Sequence, residues 1–134
     1  MNTVLTIHSG RRGLHEFTDE VARLVAESAI EEGLCTLFVR HTSASLMIQE
    51  NADPSARRDL ERWLDRLVVR DDPLYTHCSE GPDDMPAHIK CALTPTSLAI
   101  PIMHARLVLG TWQGIFLWEH RDRAGPRQVV CHIG

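Results

Sequence analysis

The stretch 97–133, SLAIPIMHARLVLGTWQGIFLWEHRDRAGPRQVVCHI, decides the fold class. It contains four short β-rich segments, which are Ser97–Ile102, Arg106–Leu109, Ile115–Arg121 and Arg127–Ile133, separated by glycines and prolines. These segments follow one another without helical crossovers. They therefore predict an antiparallel or mixed, sandwich-like sheet in an α+β domain, and they argue against a doubly wound fold.

The rest of the chain is predicted to form two more strands and three helices. Thr3–His8 and Cys35–His41 have the β-rich alternation of strands. A helix capped near Thr18 lies between them. Asp53-Pro54 is a strong signal for the start of a second helix, which carries an apolar stripe. Pro86 is expected to open a third, short helix that is capped by one of the aspartates before it.

Composition limits the classes of function. With 134 residues the chain fits one domain, 1–134, and its formal net charge of −4 gives no overall attraction to nucleic acid. No apolar run reaches the roughly 20 residues that cross a bilayer. The four cysteines form no C-x-x-C pair, so a disulfide framework is not expected and a reducing cytoplasm is the predicted location.

A polar segment from Tyr75 to His88 is the leading candidate for a functional site. It carries two histidines, three carboxylates, a serine and a tyrosine within 14 residues. Two imidazoles with one or two carboxylates suit a divalent ion that keeps one position open for water or substrate. A capped loop with surface histidines is the alternative, since no established ligand signature is present.

Two further segments carry candidate side chains. His41-Thr-Ser-Ala-Ser45 combines a histidine at a strand end with hydroxyl groups that can hold phosphate oxygens, although a simple turn explains it equally well. Gly110-Thr-Trp-Gln-Gly114 is expected to present Trp112 for stacking on a heterocycle, and simple packing of that ring is the alternative. Glu119 and His120 should point to opposite faces of the strand that follows.

Together these segments resemble the YjbQ-like family of small bacterial and archaeal proteins. The resemblance rests on four stretches that span most of residues 35–133: HTSAS at 41–45, QENADP at 49–54, the segment from His77 through EGPDDMPAHIK at 80–90, and LGTWQG at 109–114 with EHR at 119–121. One stretch departs from the family pattern. His104-Ala105 stands where an Asn-Gly turn is expected before an arginine.

The resemblance implies a compact α+β domain that assembles as a homotrimer. It also implies a secondary thiamine phosphate synthase activity, in which hydroxymethylpyrimidine diphosphate and thiazole phosphate give thiamine phosphate and pyrophosphate. A metal-dependent hydrolase of a phosphorylated molecule would use the same groups. A non-catalytic module for a metal or metabolite is the alternative from another class.

Residue chemistry and resemblance together give a set of expected roles. The ion is expected to be Mg²⁺ or Zn²⁺, and the partner a phosphorylated or heterocyclic small molecule rather than nucleic acid or membrane. The expected catalytic residues are His41, His88, Glu119 and His120; the substrate-binding residues are Ser43, Ser45, Asn51, Lys90, Trp112 and Gln113; the metal ligands are His77, Glu80, Asp84 and His88.

Overall fold

The computed structural model describes residues 1–134 as eight strands and three helices. The strands are β1 (Asn2–Ile7), β2 (Arg11–Glu16), β3 (Glu32–Val39), β4 (Ala44–Glu50), β5 (Ser97–Met103), β6 (Arg106–Leu107), β7 (Gln113–Arg123) and β8 (Arg127–Ile133). The helices are α1 (Thr18–Ser28), α2 (Pro54–Leu67) and α3 (Asp84–Leu93).

The strands form two antiparallel sheets. One has five strands in the order β1-β8-β3-β5-β6, and the other has three in the order β2-β7-β4. The predicted single α+β domain with a sandwich-like antiparallel arrangement is therefore confirmed. The trimer stays a prediction.

Side-chain alternation along β7 links the two halves of the core. Ile115 and Leu117 join the main core, which draws on both sheets and α1. Phe116 and Trp118 point the other way and pack with Leu64 on α2 in a smaller cluster. Successive side chains of a strand face opposite sides, so the central strand of the small sheet serves both clusters. It thereby holds α2 and α3 on its outer face.

A β-bulge interrupts the pairing of β7 with β2 where the candidate site lies. Arg11 pairs with Arg123 and Gly13 pairs with Glu119, so Arg12 alone lies opposite the three residues 120–122 of β7. Bulges bend the strand and re-aim side chains, and they occur often beside functional sites. This bulge frees Arg121 to reach toward α3.

Several local predictions were wrong. The strands β2 and β4 were not predicted, because β2 contains Gly13 and little apolar sequence, and the hydroxyl-rich residues before β4 resemble a turn. The third helix begins at Asp84, two residues before Pro86. In α2 the expected apolar stripe is only partly buried: Leu64 is buried, whereas Trp63 and Leu67 are more than half exposed.

The turn between β5 and β6 shows how His104-Ala105 can replace the Asn-Gly that the family pattern has at this position. Met103 pairs with Arg106, and both residues between them have positive φ, 53° at His104 and 59° at Ala105. Two positive φ angles define the two-residue hairpin turn that Asn-Gly favours. The backbone therefore keeps the turn although the residues differ.

Two other predictions concern the cysteines and the membrane. Cys35 and Cys131 are free thiols buried in the main core, as small apolar residues would be. None of the three helices has the length and apolar character that membrane-crossing helices need.

Candidate functional site

The first turns of α3 bring two histidines to one carboxylate. Asp84 and His88 lie four residues apart and therefore share one face of the helix. His77 approaches from the preceding loop. The Nε2 atoms of His77 and His88 lie 2.6 and 3.2 Å from the same Asp84 oxygen, Oδ2. The three residues form a compact group whose ligand atoms all lie within 4.8 Å of one another.

Asp84 is held as a carboxylate although it is 2% exposed. Arg121 Nη1 donates to Asp84 Oδ1 at 2.7 Å, on the side away from the histidines. Burial alone would raise the pKa of Asp84. The His77 hydrogen bond and the charges of His88 and Arg121 outweigh it and hold the pKa below its ordinary value. Oδ1 is thus occupied by protein, while Oδ2 faces the two imidazoles.

The hydrogen bonds of His88 fix its tautomer. Its Nδ1 lies 2.9 Å from the carbonyl oxygen of Thr42, which can only accept, so Nδ1 carries the proton. In the neutral ring Nε2 then presents a lone pair to the Asp84 carboxylate at 3.2 Å. A lone pair that faces an anion needs a cation or a second proton between them. This is also the tautomer of a histidine that ligates a metal through Nε2.

Arg121 connects α3 with a second buried network. Besides Asp84 it binds Asp83 through Nε at 2.9 Å, and its Nη2 donates to the carbonyl of Glu80 at 2.9 Å. Its backbone N–H donates to Glu119 Oε2 at 3.1 Å. One residue thereby joins the start of α3 to the end of β7.

The centre of the second network is a buried ion pair. Glu119 is 0% exposed and accepts from Arg127 Nε at 2.7 Å and from Ser9 Oγ at 2.6 Å. Burial by itself raises the pKa of Glu119, but the hydrogen bonds from Arg127, Ser9 and the Arg121 backbone outweigh it, so the pKa lies below its ordinary value. Arg127 Nη2 also donates to Ser43 Oγ at 2.9 Å.

His41 lies beside this ion pair as a neutral ring. Its Nε2 accepts from the backbone N–H of Gln128 at 2.8 Å, and its Nδ1 is 3.3 Å from Arg127 Nη1. Because Nε2 accepts, the neutral ring carries its one proton on Nδ1, and neither of the two donor neighbours favours a second proton. Burial, and then the charge of Arg127, lower the pKa of His41. A small cavity of about 200 Å³ opens here, lined by Ser43, Arg121 and residues 123–127.

His120 faces the opposite side of β7, as predicted, and is buried at 1% exposure. Its Nε2 lies 2.8 Å from Ser45 Oγ, and its Nδ1 has no hydrogen-bond partner. Lys90 is also buried, and its Nζ donates to Asp65 Oδ1 at 2.6 Å. Burial and the nearby charge of Lys90 lower the pKa of His120 to about 3. Both side chains are therefore enclosed by protein.

The buried neutral His120 predicts an acid-sensitive fold. The pKa of this histidine is depressed from 6.5 to about 3 on folding, so its contribution to stability is complete above pH 6.5 and declines as the pH falls toward 3. Well below pH 6.5, each pH unit should cost about 1.4 kcal/mol. Urea unfolding of the protein and of His120→Gln at pH 5 and pH 7 measures this. The wild type should lose more stability on acidification; equal losses would contradict the assignment.

Comparison with known proteins gives the family. The family model described as UPF0047 protein YjbQ-like matches residues 3–134. The chain belongs to this family. It is 53% identical over 130 residues to a UPF0047 protein of Synechocystis sp., covering 97% of this chain and 88% of that protein.

Solved structures are also similar to this chain of the YjbQ-like family. A conserved hypothetical protein from Thermus thermophilus is 33% identical, with a TM-score of 0.87 over 98% of this chain and 99% of that one. A protein from Sulfolobus solfataricus, described as YbjQ-like and of unknown function, is 23% identical. Its TM-score is 0.90 over 99% of this chain and 95% of that one, and this likeness concerns the fold alone.

The structure separates some of the expected site residues within one chain. Trp112 and Gln113 lie at the start of β7, about 25 Å along the strand from Glu119–Arg121, and Asn51 lies beside them after the end of β4. Asn51 Nδ2 donates to Glu16, and Gln113 Oε1 accepts from the backbone of Gly110. Within one chain, Trp112 and Gln113 therefore lie apart from Glu119 and His120, because β7 is 11 residues long, and their expected roles stay predictions.

The other expected residues divide between two surroundings. His77, Asp84 and His88 meet in one group, with His41, Ser43 and Glu119 in the adjoining network. Ser45, Lys90 and His120 lie together on the other face of β7, enclosed by protein. The side chain of Glu80 is exposed and lies outside the group formed by His77, Asp84 and His88. The only link of Glu80 to this group is its backbone carbonyl, which accepts from Arg121.

Sequence reasoning missed the two arginines that organise the site. Arg121 was noted in a motif and given no role, and Arg127 was treated only as the start of a strand. The available signal was an arginine two residues after Glu119 and another directly after Gly125-Pro126. Neither spacing shows that both guanidinium groups turn inward, since that depends on the bulge in β7.

Proposed function

We propose that His77, Asp84 and His88 bind one divalent metal ion, at which the protein acts on a small phosphorylated molecule. The convergence of three ligand atoms carries the proposal: the Nε2 atoms of His77 and His88 meet Asp84 Oδ2, and all three lie within 4.8 Å of one another. A cation there would take the place of the proton that otherwise lies between His88 Nε2 and Asp84. The outer contacts, Thr42 to His88 and Arg121 to Asp84, are those that orient the ligands of protein metal sites.

The distances support a metal of the size of Zn²⁺. Tetrahedral ligands at about 2.1 Å from zinc lie about 3.4 Å from each other. The separation of His88 Nε2 from Asp84 Oδ2 is 3.2 Å, close to this value. The 2.6 Å contact of His77 needs to open by less than about 1 Å, and His77 lies on an exposed loop. Three protein ligands leave a fourth position for water or substrate.

The surroundings favour an anionic substrate. The small cavity beside the group is lined by three arginines: Arg121 and Arg127 already bind carboxylates, and Arg123 has none within ion-pair distance. Guanidinium groups match phosphate oxygens in geometry and charge. A bound divalent ion would supply Lewis-acid polarisation or an activated water. His41, which was expected to be catalytic, would here act as a neutral neighbour of Arg127, because its Nε2 already accepts from the Gln128 backbone.

The direct test is calorimetric titration of the apoprotein with Zn²⁺, Mn²⁺ and Mg²⁺. We expect one ion per chain and Zn²⁺ as the tightest of the three, since two of the ligands are imidazoles. His88→Ala should weaken binding at least about tenfold. The matched control is His8→Ala, which removes an exposed histidine outside the group. Equal binding by the His88 and His8 variants would refute the proposal.

Thiamine phosphate formation is one candidate reaction for this site. The arginine-lined cavity supports it, since the product pyrophosphate needs cationic partners. The surroundings of Lys90 and Trp112 do not support this reaction. Lys90 binds Asp65, and Trp112 lies at the far end of β7 from the proposed metal site. Incubation of the metal-loaded protein with both precursors separates the alternatives. Thiamine phosphate as product supports a transferase, phosphate release from one precursor alone supports a hydrolase, and no turnover supports a binding module.

A further inference from the structure

A second cavity, of about 550 Å³, lies between β2 and α2. None of the proposed metal ligands His77, Asp84 and His88 lines it. Its volume falls in the range of pockets that hold small organic ligands, about 300–1,000 Å³. Five arginines contribute to its wall: Arg11, Arg12, Arg57, Arg58 and Arg62.

The architecture of α2 concentrates positive charge on this cavity. Arg58 and Arg62 are four residues apart, and Arg57 precedes them on the same side of the helix. Pro54, the first residue of α2, also lines the cavity. The positive end of the helix dipole therefore acts on the same space as the guanidinium groups.

The two carboxylates in the wall are already engaged. Glu61 Oε1 accepts from the backbone N–H of Leu14 at 2.9 Å. It can approach because Gly13 has no Cβ: one would lie 3.0 Å from the Glu61 carboxylate, at a φ of +129°. Asp65 binds Lys90 at 2.6 Å and Arg12 at 3.4 Å. Of the five arginines, only Arg12 has a carboxylate within ion-pair distance.

Arg57 adds a second, independent observation. Its Nε is buried and has no hydrogen-bond partner. Its guanidinium carbon lies 5.0 Å above the centre of the Phe116 ring, a cation–π contact that fixes the group in place. The contact with Phe116 therefore holds Arg57 in the wall of the cavity.

The chemistry of the wall selects the kind of ligand. Four arginines without acidic partners suit several oxyanion groups held at once. Nucleic acid is disfavoured, because the chain carries a net charge of −4 and Trp118 in the wall is only 4% exposed, which leaves no ring for bases to stack on. We infer that this cavity is a separate binding site for a small molecule that carries two or more phosphate groups.

The test uses inorganic pyrophosphate as the probe. Calorimetry is run at low ionic strength with EDTA present, so that no metal ion at His77, Asp84 and His88 can bind the probe. The protein should bind pyrophosphate, and the double variant Arg57→Gln/Arg62→Gln should bind at least about tenfold more weakly, a loss of one charge-assisted contact or more. The matched control is Arg66→Gln on the same helix, which lies outside the cavity wall.

Three outcomes would overturn the inference. They are absence of pyrophosphate binding by the folded protein, an equal loss in the Arg66→Gln control, and tighter arginine-dependent binding of a single-stranded oligonucleotide than of pyrophosphate. Thermal melting checks that each variant folds. If the double variant does not fold, Arg11→Gln/Arg62→Gln replaces it and should show the same loss. Asp84→Asn should leave pyrophosphate binding unchanged, which separates this site from the proposed metal site.

Discussion

Replacing Arg127 with leucine should lower the free energy of unfolding by about 3–5 kcal/mol, because it leaves the buried Glu119 carboxylate without a counter-ion. Glu119 is 0% exposed, and Arg127 is the only guanidinium that contacts it. The hydrogen bonds from Ser9 and from the Arg121 backbone remain, but neither carries a full charge. For a domain of this size the loss corresponds to a fall in Tm of about 10–20 °C, measured by thermal melting or urea unfolding.

A double-mutant cycle separates the ion pair from the rest of the change. Glu119→Leu with Arg127→Leu removes both charges and should recover most of the lost stability, since apolar replacement of a buried pair is often neutral. The exposed pair Arg23–Glu27 on α1 is the control, and Arg23→Ala there should cost less than about 1 kcal/mol. A loss below about 1 kcal/mol for Arg127→Leu, or strict additivity in the cycle, would show that the pair does not act as a buried unit.

Much of the architecture could be predicted from local patterns. The strand β8 was predicted with its observed bounds, and the start of α2 follows from Asp53, whose carboxylate accepts from the Ser55 backbone N–H at 2.9 Å. The pairing of Asp84 with His88 also follows from sequence, because a four-residue spacing on a helix brings two side chains together. In each case the deciding interaction lies within a few residues of the chain.

The remaining parts of the site depend on contacts between distant segments. The pair formed by Glu119 and Arg127 needs the turn that joins β7 to β8, although the two strands belong to different sheets. The contact of Arg121 with Asp84 needs a bulge whose register no local pattern specifies. The distance between Trp112 and Glu119 is hidden for a related reason, because a strand carries its two ends far apart although they are close in sequence.

Asp84→Asn should abolish the metal dependence of stability while leaving the metal-free protein folded. The amide oxygen can still accept from Arg121, and the amide N–H₂ can donate to the His88 Nε2 lone pair that faces it. The metal-free variant should therefore melt within a few degrees of the metal-free wild type. The neutral amide is a much weaker ligand than a carboxylate, so affinity for Zn²⁺ should fall at least about a hundredfold.

Linkage turns this loss into a difference that melting curves can resolve. A ligand at a hundred times its Kd stabilises the native state by about 2.7 kcal/mol, so Zn²⁺ should raise the Tm of the wild type by several degrees and that of Asp84→Asn hardly at all. Asp83→Asn is the matched control, because Asp83 also binds Arg121 but is not one of the proposed metal ligands. If Zn²⁺ raised the Tm of both variants as it does that of the wild type, the ion would bind elsewhere. The lone pair of His88 would then be satisfied by a proton instead.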